Sequence, residues 1–158
     1  MLLLRSVVFG ALIPGTVIGL VPYLIVAGHL PGVATWGAIQ YTGLPMLCLG
    51  VSIMGWCMRD FVVIGHGTAA PVDPPTALVV QGLYRYVRNP MYIGALLTLL
   101  GETTFARSAP LLYYTAAWFI WVNLFVFFYE EPALRRQFGA AYEEYSRSVG
   151  RWLPFSRP

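Results

Sequence analysis

The chain has 158 residues, of which 58% are hydrophobic and only 11% are charged, and its mean hydropathy is +0.65. Soluble domains carry roughly 25% charged residues, so this composition excludes an ordinary soluble domain and indicates an integral membrane protein. The net charge of +3 is the balance of ten dispersed basic residues, all of them arginine, against seven acidic ones. That charge is too small to indicate a nucleic-acid partner, and membrane lipids with anionic headgroups are the expected surroundings.

Four apolar stretches follow one another along the chain and predict transmembrane helices. The predicted spans cover residues 6–28, 37–62, 91–106 and 110–129. The first stretch is longer than a signal-peptide core and ends without a small-residue cleavage site, so we expect it to be retained. The predicted fold is all-α: a polytopic membrane protein of about four transmembrane helices followed by a C-terminal amphipathic helix.

The placement of the arginines predicts the orientation of these spans. With a cytoplasmic N-terminus, Arg107 lies on the outer side and every other arginine lies inside. The opposite orientation would invert that ratio. We therefore expect a protein of the inner, cytoplasmic membrane with both termini in the cytoplasm.

The chain divides into two predicted regions, the N-terminal transmembrane helices at 1–64 and a core at 65–158 that contains a loop, a helical hairpin and a tail helix. Residues 65–80, "GHGTAAPVDPPTALVV", are broken by glycine and proline and predict an irregular loop. Such a loop is tolerated near lipid only when it packs on protein or lines a cavity. His66 and Asp73 lie in it, but a metal site needs more ligands at tighter spacing, and we predict none.

The polar C-terminal stretch carries an apolar residue every three or four positions, which is typical of an amphipathic helix. Within it, Glu131 and Arg135, and likewise Glu143 and Arg147, are spaced as i,i+4 ion pairs. We expect one helix, weakened by a glycine in its middle, that folds back on the membrane surface or on the spans. The predicted stripe consists of Leu134, Phe138, Tyr142, Tyr145 and Val149.

The motif "RNPMYIG", residues 88–94, opens the third predicted span. Asn89 is a preferred N-cap residue and Pro90 suits the first helical position. The first backbone N–H groups of this span are then unpaired, and the positive end of its dipole faces the cytoplasm. The sequence therefore predicts an anion-binding helix end here.

A tight turn at 107–110 makes the third and fourth spans an antiparallel hairpin. Glu130 and Glu131 then return to the same membrane depth as Arg88 and Tyr92. This set of charges suits a ligand with a carboxylate, an ammonium or hydroxyl groups, and an aromatic ring. Arginine, glutamate and tyrosine at span ends are also common interface anchors, but the whole set beside an irregular loop favours a ligand site.

"LVVQGLYRYVRNPMYIG" followed by "EEPALRRQFGAAYEEYSRSVGRWLP" resembles the isoprenylcysteine carboxyl methyltransferase family and the related phospholipid methyltransferases. The resemblance covers roughly residues 65–154. It implies a multi-span helical enzyme that binds S-adenosyl-L-methionine at the cytoplasmic face, without a Rossmann domain, and methylates a lipophilic small molecule or lipid. Consistently, no strand followed by GxGxxG is present.

Carried over by position, the resemblance implies a cofactor-binding set drawn from the loop, the start of the third span and the end of the fourth. Asn89 replaces a commoner histidine, which favours hydrogen bonding or helix capping by its side chain over proton transfer at that position. The set, to which Glu131 and Tyr142 are added, is Thr76, Ala77, Leu78, Val79, Tyr84, Asn89, Pro90, Met91, Tyr92, Glu130, Glu131 and Tyr142.

The predicted catalytic residues are Glu130, Arg88 and Asn123. In the isoprenylcysteine branch, the resemblance implies an arginine for the substrate carboxylate one turn before the first glutamate, where this chain has Val126. Asn123 is the nearest polar residue, and it supplies no charge. We therefore expect an acceptor with a neutral or amine nucleophile, and farnesyl-cysteine analogues as poor substrates.

Three alternatives stay open at this point. The acceptor can be a phospholipid or another amine that is methylated on nitrogen. The C-terminal architecture also resembles sterol reductases, which bind NADPH. A membrane scaffold that kept the fold but lost the site would bind neither nucleotide.

Overall fold

A computed structural model of the protein describes residues 14–27, 36–65 and 76–154. In these ranges all regular structure is helical, and the β pairing is a single parallel bridge between Val87 and Gly150. The beginning of the first predicted span, His66 and Asp73 lie outside the described residues.

Six helices follow one another within the described ranges. They are α1 (Thr16–Val26), α2 (Ala38–Val63), α3 (Pro90–Ala106), α4 (Ala109–Phe125), α5 (Glu131–Phe138) and α6 (Ala140–Ser148). A 3₁₀ turn, Gly82–Arg85, precedes α3. The first turns of α1, Thr16–Leu20, are π-helical.

A π-helical turn, Val126–Glu130, joins α4 to α5, and the backbone N–H of Glu131 donates to the carbonyl of Val126. The joined helix Ala109–Phe138 is 30 residues long.

Two of these helices are long and apolar enough to cross a bilayer. They are α2, with 26 residues, and the joined helix Ala109–Phe138. At 1.5 Å per residue, α2 measures about 39 Å, which exceeds a hydrocarbon core of about 30 Å. Helix α3 has 17 residues and is shorter than a usual span. The all-helical fold is confirmed, whereas a total of four spans stays a prediction.

Helices α2 and α3 approach each other so closely that glycine is required where they touch. A Cβ atom on Gly50 would lie 2.5 Å from the carbonyl oxygen of Gly94, and one on Gly101 would lie 2.6 Å from the backbone nitrogen of Leu47. Small residues allow this approach, and in a membrane close packing replaces the hydrophobic drive that joins helices in water. The contact therefore fixes the position of α3 against α2.

The predicted tight turn between the third and fourth spans is present. Helix α3 ends with Arg107 in a left-handed conformation (φ 51°), and the Ser108 hydroxyl accepts a hydrogen bond from the backbone N–H of Leu111 at 3.3 Å. The side chains of Thr103 and Thr115 hydrogen-bond across the hairpin at 3.2 Å. The hairpin therefore returns α4 antiparallel to α3, as the sequence indicates.

The C-terminal stretch is two helices rather than the single one predicted. Gly139 separates them with φ 53° and ψ −126°, a conformation that only glycine adopts readily. The apolar stripe nevertheless packs as one cluster, in which Tyr142, Tyr145 and Val149 are buried. The partly buried residues around them are Leu78, Leu134 and Phe138.

The ion pairs predicted along this stretch are replaced by others. Glu143 pairs with Arg135 at 3.4 Å, across the break between α5 and α6. Glu131 binds Arg88 and Arg151, which are distant in the sequence. Each predicted pair lies within a single helix, so its spacing is intact, but both glutamates pair instead with arginines that the tertiary fold brings close.

Candidate functional site

A cavity of about 630 Å³ lies between α3 and the joined helix Ala109–Phe138. The N-terminal helix, α2, the segment before α3, and α6 complete its wall. Trp118 and Glu130 both line it, and twelve residues of helix between them correspond to about 18 Å. The cavity is therefore elongated along the helix rather than confined to one depth.

The two ends of this cavity differ in chemistry. Around Trp118 the wall is apolar and is completed by Pro14, Val17, Ile18 and Val122. At the opposite end the wall is polar and charged. The polar residues there include Arg88, Asn89, Tyr92, Glu130, Glu131 and Tyr142. Such a cavity suits an amphipathic ligand, or two ligands of which one is polar and one apolar.

Glu130 is the acid that faces the cavity with spare hydrogen-bonding capacity. It lies in the π-helical turn, and its Oε2 accepts a hydrogen bond from the Tyr92 hydroxyl at 2.9 Å. This bond joins the start of α3 to the end of α4. A carboxylate has about four lone-pair positions, so one phenol leaves it able to accept bonds from a ligand.

Glu131, the next residue, uses both carboxylate oxygens in contacts with protein side chains. Arg151 binds it in a bidentate manner, with Nε to Oε1 at 2.7 Å and Nη2 to Oε2 at 2.9 Å. Arg88 Nη1 lies 2.9 Å from the same Oε1. The Glu131 side chain is 8% exposed. Two neighbouring acids thus have different surroundings, one open to the cavity and one neutralised by two arginines.

Arg88 presents an unused donor at the charged end. Its Nη1 also donates to the Tyr142 hydroxyl at 3.2 Å, but its buried Nε has no hydrogen-bond partner among the described residues. A buried donor without a partner is costly and calls for an explanation. A ligand with an anionic or carbonyl oxygen in the cavity would supply the missing acceptor.

Asn89 lies at the N-cap position of α3 and Pro90 at its first helical position, as predicted. The predicted capping hydrogen bond is wrong, because the Asn89 side chain makes no cap bond to the helix. Its Nδ2 instead donates to the backbone carbonyl of Arg151 at 3.2 Å. The residue therefore ties the start of α3 to the C-terminal segment.

Three buried tyrosines that line the cavity are neutral phenols. Burial raises the pKa values of Tyr84, Tyr142 and Tyr145 above their usual range, and the neighbouring charge of Glu131 also raises the pKa of Tyr142. The Tyr145 hydroxyl donates to the Tyr84 carbonyl at 2.7 Å. These hydroxyls act as fixed hydrogen-bonding groups.

The structure brings most of the predicted site residues to one cavity. Those that line it are Leu78, Val79, Tyr84, Arg88, Asn89, Met91, Tyr92, Glu130, Glu131 and Tyr142. Thr76, Ala77, Pro90 and Asn123 are not part of the lining. Thr76 donates its backbone N–H to the Gly65 carbonyl at 3.0 Å, just after the end of α2. The Asn123 amide donates to the Phe119 carbonyl of its own helix at 2.8 Å.

Sequence reasoning missed an aromatic ladder in the cavity wall. Trp121, Phe125 and Tyr129 stack in succession, with ring centroids 5.3 and 5.1 Å apart. All three line the cavity. Their spacing of four residues on an apolar helix was a signal for a shared face. Arg151, which binds Glu131, was also missed.

Among the described residues, no group of three or more histidine, cysteine, aspartate or glutamate side chains could hold a metal ion. The charged end of the cavity is built from arginine, glutamate, tyrosine and asparagine, which suit an organic ligand with both charges.

The fold and the cavity describe a helical membrane protein with an elongated cavity that is charged at one end and apolar at the other. The sequence profile of the phospholipid methyltransferase family matches residues 39–141. The chain belongs to this family of membrane methyltransferases, as its motifs indicate.

Curated relatives support the same assignment. Two proteins of rice, Oryza sativa subspecies indica and japonica, are named "Probable protein-S-isoprenylcysteine O-methyltransferase". Each is 30% identical to this chain over 136 residues, covering 79% of this chain and 66% of the relative. The "Protein-S-isoprenylcysteine O-methyltransferase" of Schizosaccharomyces pombe is 29% identical over 118 residues, 73% of this chain and 49% of the relative. The chain thus spans about half to two thirds of the length of these relatives. No solved structure matches it.

Proposed function

We propose that the protein is an S-adenosyl-L-methionine-dependent methyltransferase that methylates a lipophilic acceptor at the cytoplasmic face of the membrane. The observation that carries this proposal is the charged end of the cavity, where Arg88 Nε and Glu130 offer one unused donor and one unused acceptor. Family membership supplies the reaction class.

The residues at the charged end fit this methyl donor. Its amino-acid part carries a carboxylate and an ammonium, and its nucleoside part carries two hydroxyls and an adenine ring. Arg88 Nε can donate to the carboxylate, and Glu130 can accept from the ammonium or from the hydroxyls. Tyr84, Tyr129 and Tyr142 provide aromatic faces for the ring.

The chemistry asked of the protein is mainly alignment. When bound, the donor's sulfonium supplies an activated methyl group, so the protein needs little acid–base catalysis. Tyr92 fixes Glu130, and Glu131 fixes Arg88, so both ligand-facing groups are held before binding. The apolar wall from Trp118 to Val126 excludes water from the path between the two ends of the cavity.

We further propose that the acceptor carries a neutral or amine nucleophile. Val126 is buried in the cavity wall and offers no charge to a substrate carboxylate. The Asn123 amide is hydrogen-bonded within its own helix. A phospholipid or other amine acceptor fits this wall and the neighbouring Glu130. A radiolabelled methyl-transfer assay should show label in a membrane lipid extract and little in a farnesyl-cysteine analogue. Efficient methyl-ester formation on the analogue would overturn this part of the proposal.

Arginine positions support the cytoplasmic placement of the charged end. Arg59 near the end of α2, Arg88 before α3, and Arg135 in α5 lie toward the charged end, whereas Arg107 is at the opposite turn. Cysteine labelling from either side of the membrane tests this, and an external residue 150 would contradict it.

The decisive test is a titration of the purified protein in detergent with S-adenosylhomocysteine and, separately, NADPH. We expect saturable binding of the first ligand and none of the second. Binding of NADPH alone would favour a reductase, and a folded protein that binds neither would favour a scaffold.

A further inference from the structure

We propose that the C-terminal segment Val149–Trp152, here called the clasp, is a positioning element of the candidate site. None of its residues lines the cavity, yet it contacts four residues that do. This inference rests on the proposed function for the identity of the ligand, and on the geometry of the clasp alone for the rest.

The backbone of the clasp pairs with the segment that leads into α3. Val87 and Gly150 form a parallel bridge, and the Arg88 backbone N–H donates to the Gly150 carbonyl at 2.8 Å. Asn89 Nδ2 donates to the Arg151 carbonyl at 3.2 Å. Two successive residues before α3 are therefore held by two successive carbonyls of the clasp.

The side chain of Arg151 holds the other half of the site. Its bidentate contact occupies both oxygens of Glu131, the residue directly after Glu130. Because Glu131 is shared, Arg88 reaches it through Nη1 alone and keeps Nε free of protein acceptors. Without Arg151, the Glu131 carboxylate can take Arg88 in a bidentate manner through Nε, which would consume the donor that the ligand needs.

Trp152 supports Tyr92 from outside the cavity. Its ring centroid lies 6.5 Å from that of Tyr92 and 5.6 Å from that of Phe119. It therefore packs against α3 and α4 together. Since Tyr92 holds Glu130, Trp152 acts on the cavity acid through Tyr92 without touching the ligand.

The test is a series of S-adenosylhomocysteine titrations with melting curves measured on the same samples. Arg151→Gln should lower the affinity at least tenfold. Arg151→Lys keeps the charge but not the forked geometry, so it should recover only part of that loss. Trp152→Phe keeps a ring and should have a smaller effect than Trp152→Ala. Arg147→Gln removes an exposed arginine from α6 and is the matched control, with unchanged affinity.

A double-mutant cycle separates positioning from general stability. Arg151→Gln and Glu131→Gln disrupt the same contact, and Glu131→Gln also removes the pair with Arg88, so the double variant should melt and bind much as Glu131→Gln alone does. Additive losses of affinity would overturn the clasp as a positioning element. So would an Arg151→Gln protein that melts earlier but binds S-adenosylhomocysteine as the wild type does.

Failure of the proposed function is recognisable separately. A wild-type protein that binds no S-adenosylhomocysteine overturns the assigned ligand. The melting cycle then decides on the clasp, and additive shifts of Arg151→Gln and Glu131→Gln would overturn it. If Arg151→Gln does not fold, the comparison of Arg151→Lys with Trp152→Phe takes its place, and unchanged affinity in both contradicts the proposal.

Discussion

Helix α3 has two sides that are built in opposite ways. On the side toward α2, Gly94 and Gly101 bring the backbones into contact. On the side toward α4, Tyr92 and Ala95 line a cavity whose far wall is a ladder of large aromatic rings. Glycines allow α2 and α3 to pack closely. Large and charged side chains hold α3 and α4 apart and leave space for a ligand. A single short helix thereby anchors the fold and forms the site.

The largest expected effect is on the closely packed side. Gly50→Leu must push α2 away from the Gly94 carbonyl and the Thr98 side chain, so the helices separate at a cost of about 3 kcal/mol. Gly55→Leu on the same helix is the matched control, because a Cβ atom there meets nothing within 4 Å. Melting curves in detergent check the difference. Equal melting of the two variants would mean that the contact does not contribute to stability.

On the cavity side, the largest effect should follow from Glu131→Gln. The change leaves Arg88 and Arg151 without their shared counter-charge, at a cost of about 2 to 3 kcal/mol in stability given the partial exposure of Arg151. Glu144→Gln on the exposed face of α6 should change the melting temperature little. If the two variants melt alike, the arginines find other partners and Glu131 is not the centre of this network.

Glu130→Gln should leave stability nearly unchanged and weaken the ligand. An amide still accepts from Tyr92 but lacks the charge for an ammonium, so S-adenosylhomocysteine affinity should fall by about 1.5 to 3 kcal/mol. Isothermal titration calorimetry measures this directly. Unchanged affinity in a folded variant would assign Glu130 a structural role and move the ligand site elsewhere.

The smallest effect is expected at the start of α3. Asn89→Ala removes the bond to the Arg151 carbonyl, which should cost about 1 kcal/mol. Asn89→Asp distinguishes the two roles of this side chain, since aspartate can cap a helix but cannot donate to a carbonyl. We expect both variants to melt alike. An aspartate variant as stable as the wild type would restore the capping role.

Features that depend on local sequence were predictable. Apolar length indicated where the helices lie, and "NP" indicated where α3 begins, because these signals involve neighbouring residues. The hairpin turn followed from the short gap between two apolar runs. Because α4 runs antiparallel to α3, these elements also predicted that Arg88, Tyr92 and the two acids lie at the same end of the hairpin.

Features that depend on distant contacts were not predictable in the same way. The i,i+4 pair expected for Glu131 is worth only about 0.2 to 0.5 kcal/mol, whereas the bidentate contact with Arg151 is partly buried and stronger. The sequence gives no sign that a residue twenty positions away folds back. The α2–α3 contact was partly visible, because Gly43 and Gly50, and likewise Gly94 and Gly101, are each seven apart and share a helix face.

The π-helical turn Val126–Glu130 also affects how much variation in length the chain can absorb. An i→i+5 turn holds one residue more than an i→i+4 turn, so deleting one residue there yields ordinary α-helix while Trp118 and Glu131 keep their relative orientation. A deletion within α4 would instead rotate both acids by about 100° away from the cavity. In an alignment with relatives, a one-residue gap at Phe128, which does not line the cavity, therefore leaves the site unchanged, whereas the same gap a few positions earlier indicates a different set of residues in the cavity wall.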